Sequence, residues 1–62
     1  MIVKVNEEAR KRTNIDTTDL DKGISYEVIN QEPFINGVWY RIVDESGEDY
    51  LYPPSLFDIV EE

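Results

Sequence analysis

The chain has 62 residues, a net charge of −8, and neither cysteine nor histidine. By area scaling, this length supports one small core that needs nearly every large apolar residue, so we expect residues 1–62 to form a single domain. The missing residue types exclude disulfides and thiolate chemistry, as well as the commonest general base and the commonest zinc ligands.

Charge is distributed unevenly along the chain. Residues 1–43 carry seven acidic and six basic side chains, whereas residues 44–62 carry seven acidic and no basic ones. Such acidity repels phosphates and anionic lipids, so we expect no direct nucleic-acid or membrane partner. With Gly37 set aside, no apolar stretch exceeds three residues, which argues against a transmembrane helix or a signal peptide. Together with the missing cysteine, this predicts a cytoplasmic location.

The N-terminal half predicts two strands separated by a long loop. Residues 2–5 are mostly β-branched and predict a short strand. Residues 6–22 keep neither the helical nor the strand period, and a helical turn over 7–12 would have no apolar face to bury. We therefore expect a loop, either functional or folded back as an irregular hairpin. Alternating apolar residues over 24–29 predict the second strand.

The middle of the chain predicts a second loop followed by the strongest strand. Residues 31–37 form the predicted loop, because Pro33 would break a ladder and Asn36-Gly37 favours a tight turn. Residues 38–43 are apolar or aromatic at five of six positions and predict a strand.

The last third predicts a hairpin, a short turn and a closing strand. A glycine-containing tip at residues 44–48 would join the preceding strand to one at residues 49–52. The Pro53-Pro54 pair ends that strand, residues 55–57 predict a 3₁₀ turn, and residues 58–60 predict the last strand. Five short strands with one long early loop are typical of a small all-β barrel.

Several stretches, in this order, resemble parts of SH3 domains. Residues 20–29 resemble the glycine-containing diverging turn and second strand, residues 37–41 the Trp-aromatic strand, Gly47 the distal-hairpin glycine, and residues 52–57 the aromatic-Pro-Ser 3₁₀ segment. The resemblance covers about residues 2–61. It implies an all-β, five-stranded SH3-like barrel with a long first loop and a 3₁₀ turn before the last strand.

Two departures separate the chain from signalling SH3 domains. Residues 3–9 contain no aromatic side chain where those domains carry a paired-Tyr motif, and Leu56-Phe57 stands in place of their Asn-Tyr pair. A polyproline ligand needs parallel aromatic ridges with polar tips, and half of these ridges are missing. The pattern is therefore more similar to the small SH3-like barrels of bacteria and phages.

Of the SH3 peptide groove, the resemblance implies counterparts for Trp39, for one of Pro53 or Pro54, and for the acidic long loop. It therefore implies an interaction surface made of an aromatic and proline face flanked by acidic side chains. If Tyr40 and Ile42 face the core, Trp39 faces outward as an interface anchor; the alternative is that Trp39 plugs the core. We expect Tyr52, among the tyrosines, to lie on a contact surface. The predicted module binds a protein or peptide as a monomer rather than a homodimer, and its acidic side chains would select a basic partner. Its predicted binding residues are Trp39, Tyr52, Pro54, Asp16, Asp19 and Asp21.

A second hypothesis uses the acidic hairpin tip, which we expect to be solvated. As in a small phage inhibitor of a host or defence protein, carboxylates here and at residues 58–62 would occupy a basic nucleic-acid channel. The tip residues are Asp44, Glu45, Glu48 and Asp49.

The sequence favours neither a metal site nor catalysis. The acidic spacings do not match a calcium loop. The serines have no histidine partner to activate them, and no feature of the sequence would bury a carboxylate and raise its pKa toward neutrality. We therefore expect no cofactor, no metal and no enzymatic activity.

Overall fold

A computed structural model describes residues 1–35 and 37–62, which form five strands, one short helix and one 3₁₀ turn. The elements are β1 (Ile2–Val5), α1 (Glu7–Arg12), β2 (Ser25–Phe34), β3 (Gly37–Val43), β4 (Asp49–Tyr52), the 3₁₀ turn (Pro54–Leu56) and β5 (Phe57–Glu61). All ladders are antiparallel, in the order β4-β3-β2-β1-β5. The all-β prediction, with a 3₁₀ turn directly before the last strand, is confirmed, and the arrangement is compatible with an SH3-like fold.

Strand β2 links the two halves of the sheet. Its first residues pair with β1, and the remainder pairs with β3. The principal extents of 25, 22 and 21 Å are nearly equal, so the twisted sheet curls around its core rather than lying flat. In the described part of the chain no ladder joins β4 to β5, so the sheet is open and its predicted closure into a barrel is not confirmed.

The core lies inside this curl. On β3, Tyr40 and Ile42 are buried, while Arg41 and Val43 face outward, as strand alternation requires. Burial of each large apolar side chain contributes about 1.5–3 kcal/mol, so this cluster is the main source of stability. Its buried members are Val3, Val5, Leu20, Tyr26, Tyr40, Ile42, Tyr52, Leu56 and Phe57.

The helix α1 corrects the prediction of a continuous loop over residues 6–22. The side chain of Asn6 caps the helix by accepting a hydrogen bond from the Ala9 backbone N–H at 3.0 Å. Acidic residues occupy the first turn and basic residues the last, which complements the helix dipole. Ala9 packs against the core, so a single small residue supplies the contact that the sequence pattern did not show. In residues 1–35 and 37–62 no helix is long and apolar enough to cross a membrane.

The boundary of β2 also differs from the prediction. The strand continues through Pro33 to Phe34, where a loop was expected. Pairing with β1 reaches only Glu27 on β2, so the missing N–H of Pro33 interrupts no ladder on that side. Gly37 has a φ of +133°, as expected of a turn glycine, whereas Asn36 of the predicted turn lies outside the described residues.

The remaining strand predictions agree with the structure to within a residue or two. The bounds of β1 and β4 match the predicted ones, and Gly47 has the expected positive φ of +85°. The 3₁₀ turn begins one residue earlier than predicted, and Phe57 belongs to β5, where its side chain is buried.

Candidate functional site

A cavity of about 310 Å³ lies along the edge strand β4. We call it the β4-edge cavity. The segment between α1 and β2 supplies one wall, and β4 with the preceding turn supplies the other. The lining residues are Ile15, Asp16, Asp19, Asp44, Tyr50, Leu51 and Tyr52.

Local hydrogen bonds hold the acidic wall of this cavity in place. The Asp16 carboxylate accepts hydrogen bonds from the Thr18 hydroxyl and from the Thr18 backbone N–H at 2.9 Å. These bonds, the hydroxyl first, lower the pKa of Asp16, so its exposed carboxylate stays charged. The Asp19 carbonyl accepts a hydrogen bond of 2.8 Å from the Glu45 N–H, which fastens the segment to the β3–β4 turn.

Asp44 is buried beneath the cavity, with only 5% of its surface exposed. Its carboxylate accepts hydrogen bonds from the Tyr52 hydroxyl at 2.5 Å and from both the hydroxyl and the backbone N–H of Ser46. Burial disfavours the charged form, but the bonds from Ser46 and Tyr52 together outweigh it and lower the pKa of Asp44. The prediction of a fully solvated acidic tip is therefore wrong at this residue.

Tyr50, rather than Tyr52, presents its ring to solvent. Tyr52 is buried, and burial followed by its bond to Asp44 raises its pKa. Tyr50 is 48% exposed, and its hydroxyl donates to the Glu48 carboxylate at 3.1 Å. The two tyrosines share a strand face, so alternation alone could not distinguish them. Tyr52 is therefore buried where an exposed contact residue was expected, and its role in binding stays a prediction.

Trp39 lies on the outer face of β3 and outside the buried core. Its ring packs against Phe34 in a tilted arrangement, with centroids 4.4 Å apart and an interplanar angle of 45°. We call these two residues the outer aromatic pair. Beside it the guanidinium of Arg41 donates two hydrogen bonds to the Glu32 carboxylate, which chiefly accounts for the lowering of the Glu32 pKa to about 2.

The structure brings together part of the predicted binding set. Asp16, Asp19 and Tyr52 line the β4-edge cavity. Trp39 belongs to the outer aromatic pair, and Pro54 opens the 3₁₀ turn, where it is half-buried. Asp21 is exposed in the turn before β2, and its backbone N–H donates to the Tyr26 hydroxyl at 2.8 Å. The lining of the β4-edge cavity therefore includes Asp16, Asp19 and Tyr52 but not Trp39, Pro54 or Asp21. Sequence reasoning missed Ile15, Tyr50 and Leu51 as lining residues.

Three of the four carboxylates predicted for the acidic tip lie at the surface. Glu45, Glu48 and Asp49 are exposed, although Glu45 also accepts a hydrogen bond from Tyr26 at 3.0 Å. Within residues 1–35 and 37–62, no cluster of three acidic side chains is arranged to hold a metal ion.

Comparison with known proteins found no matching family model, no matching curated protein and no matching solved structure. A functional assignment for this chain therefore depends on the geometry of its own surfaces.

Proposed function

We propose that this protein is a non-enzymatic interaction module that binds a basic segment of another protein. In this proposal the β4-edge cavity receives one lysine or arginine side chain of the partner. The observation that carries it is the meeting of two loop aspartates and an exposed tyrosine around a cavity of about 310 Å³.

The chemistry of the lining suits a long cationic side chain. Asp16 and Asp19 offer carboxylates at the exposed side, and charge-assisted hydrogen bonds to guanidinium groups are among the stronger ones in proteins. The half-exposed ring of Tyr50 offers a face for a cation. Ile15 and Leu51 provide apolar surface for the aliphatic stem, which amphipathic side chains bury while their charge stays near water.

Two observations support a binding role over a catalytic one. The sequence has no histidine or cysteine. Every carboxyl with a resolved pKa shift, namely Asp16, Glu32 and Asp44, is shifted downward. A carboxylic acid that transfers protons at neutral pH needs the opposite shift. This proposal includes the resemblance to the SH3-like barrels of bacteria and phages. That resemblance also favours a binding role over a catalytic one.

A titration with a short peptide tests the proposal. Acetyl-Gly-Arg-Gly-amide is added to ¹⁵N-labelled protein, and the matched control is the same peptide with citrulline, which keeps the shape but removes the charge. We expect saturable amide shifts at Asp19, Tyr50 and Leu51 with the arginine peptide only. Asp19→Asn should weaken binding by about threefold, the range of a partly exposed ion pair. Trp39→Ala should leave the affinity unchanged.

Two results would contradict this assignment. Equal shifts with the citrulline peptide would show that charge is not recognised. Shifts centred on Glu45, Glu48 and Asp49 instead of the cavity, with a steep loss of affinity in salt, would favour the acidic-mimic alternative.

A further inference from the structure

The two edge strands of the sheet differ in how well they are covered. The edge of β4 borders the cavity wall formed by Ile15, Asp16 and Asp19, and the strand ends at two prolines. The edge of β5 lies at the other end of the strand order, and among the described residues its only ladder is with β1. Prolines are a common way to block an edge, and residues 57–61 of β5 contain none.

The ladder between β1 and β5 shows which backbone groups of β5 face outward. The Asn6 N–H donates to the Leu56 carbonyl at 2.7 Å, so Leu56 is turned toward the β1 side. Orientation alternates along an antiparallel ladder, which turns Asp58 toward β1 and Phe57 and Ile59 away from it. The Phe57 N–H already donates to the Pro54 carbonyl. The N–H and carbonyl of Ile59 and the carbonyl of Phe57 are therefore directed to the open edge.

The side chains along this edge have a distinct pattern. Ile59 and Val60 are 51% and 53% exposed. Ile59 pairs with buried Val3, whereas Asp58 pairs with exposed Lys4 on the opposite face. Glu61 pairs with Ile2, which puts it on the face of Asp58 after the register shift. Phe57 and Ile59 thus lie on one face of β5, and the carboxylates of Asp58 and Glu61 lie on the other.

This charge pattern decides between two kinds of occupant. Pairing of β5 with the same strand of a second copy would bring two sets of carboxylates, from Asp58, Glu61 and Glu62, into one narrow ladder. Lys4 compensates only part of that charge. A strand that alternates apolar and basic residues would match both faces. We propose that the open edge of β5 binds an extended segment of a basic partner protein as an added strand, at a site separate from the β4-edge cavity.

The test uses a peptide that alternates in the same way. Acetyl-Lys-Val-Lys-Val-Lys-amide is titrated into labelled protein, and amide hydrogen exchange is followed at Ile59. Because this N–H faces the open edge, we expect its exchange to slow by roughly tenfold on binding, the scale of one added hydrogen bond. The control peptide is N-methylated at every residue, which keeps the charge and prevents strand pairing; it should not bind β5.

Matched variants isolate the backbone contact. Ile59→Pro removes the outward N–H without breaking the ladder to β1, and it should weaken peptide binding by roughly tenfold. Ile59→Ala keeps the N–H and should bind within about threefold of the wild type. Circular dichroism checks that both variants fold; if Ile59→Pro does not, the exchange and control-peptide arms decide.

Several outcomes would overturn the proposal. These are no binding, unchanged exchange at Ile59, equal binding of the methylated peptide, or shifts confined to the β4-edge cavity. Sedimentation that shows β5-dependent dimers in the absence of peptide would assign the edge to a second copy instead.

Discussion

The turns at the two ends of β3 differ in burial, and the difference is the opposite of what their composition suggests. The β3–β4 turn is rich in acidic and polar residues, yet Asp44 within it is buried and bonded to Tyr52 and Ser46. The end of the β2–β3 hairpin is apolar, yet Ile35 there is 81% exposed. The difference teaches that burial at a hairpin end depends on whether another segment covers it. The segment between α1 and β2 covers the first turn through the Glu45–Asp19 hydrogen bond.

Among the variants that test this comparison, the one that removes the buried carboxylate of Asp44 should lower the free energy of unfolding most. We expect Asp44→Ala to lower the free energy of unfolding by about 2–3 kcal/mol, because the buried Tyr52 hydroxyl loses its acceptor and the turn loses its bonds to Ser46. Urea denaturation measures this change. Asp49→Ala, an exposed carboxylate near the same turn, is the control and should change the stability much less. Similar losses in the two variants would contradict the account.

Removing only the Tyr52 hydroxyl, which donates to Asp44, should lower the free energy of unfolding less. Tyr52→Phe keeps the ring in the core but deletes the hydroxyl, so we expect the unfolding free energy to fall by about 1 kcal/mol. Tyr50→Phe is the matched control, because the Tyr50 hydroxyl donates to the exposed Glu48. This variant should leave the free energy of unfolding nearly unchanged. If Tyr50→Phe proves the more damaging of the two, the assignment of the buried and exposed tyrosines is reversed.

The β2–β3 hairpin should respond to pH through its surface ion pair. The pKa of Glu32 is lowered to about 2 by its hydrogen bonds with Arg41, so the stability it contributes is present above the ordinary glutamate pKa. That contribution is lost as the pH falls through about 2. A ¹³C titration of the carboxyl measures the pKa. Arg41→Gln should return it toward the ordinary value; an unchanged low pKa in this variant would rule out Arg41 as the cause.

The smallest effect is expected at the exposed apolar end. Ile35→Ser should leave the melting temperature within about 3 °C of the wild type, because an exposed side chain gains little from its apolar surface. Ile42→Ser, at a fully buried position of β3, is the contrasting variant and should lower it strongly. A marked drop for Ile35→Ser would mean that the end of this hairpin is covered.

Hydrophobic patterning and turn residues were enough to predict most of the sheet. The β-branched residues of β1, the alternation at residues 24–29, the apolar and aromatic run of β3 and the glycine of the β3–β4 turn each predicted their element. The helix α1 was missed because its stability depends on the Asn6 cap and on one alanine that contacts the core. These are tertiary and capping effects that leave no hydrophobic period. The β2 extension was missed because the cost of Pro33 depends on whether a neighbouring strand is present.

The candidate site was harder to predict than the fold. The aspartates of the long loop were identified from their charge and from the resemblance of this loop to the acidic loop of the SH3 peptide groove. Their meeting with Tyr50 required the tether between Asp19 and Glu45, which joins backbone groups that no side-chain pattern reveals. Trp39 suggested a binding anchor by its residue type. Its contact with Phe34 depends on the full length of β2, which is longer than the strand predicted from the sequence.

Intermolecular nuclear Overhauser effects with acetyl-Gly-Arg-Gly-amide test the binding proposal most directly. The proposed seating of a cation in the β4-edge cavity predicts contacts between the arginine side-chain methylene protons and the ring protons of Tyr50. Contacts with the indole of Trp39 instead, or with neither ring at saturating peptide, would contradict it.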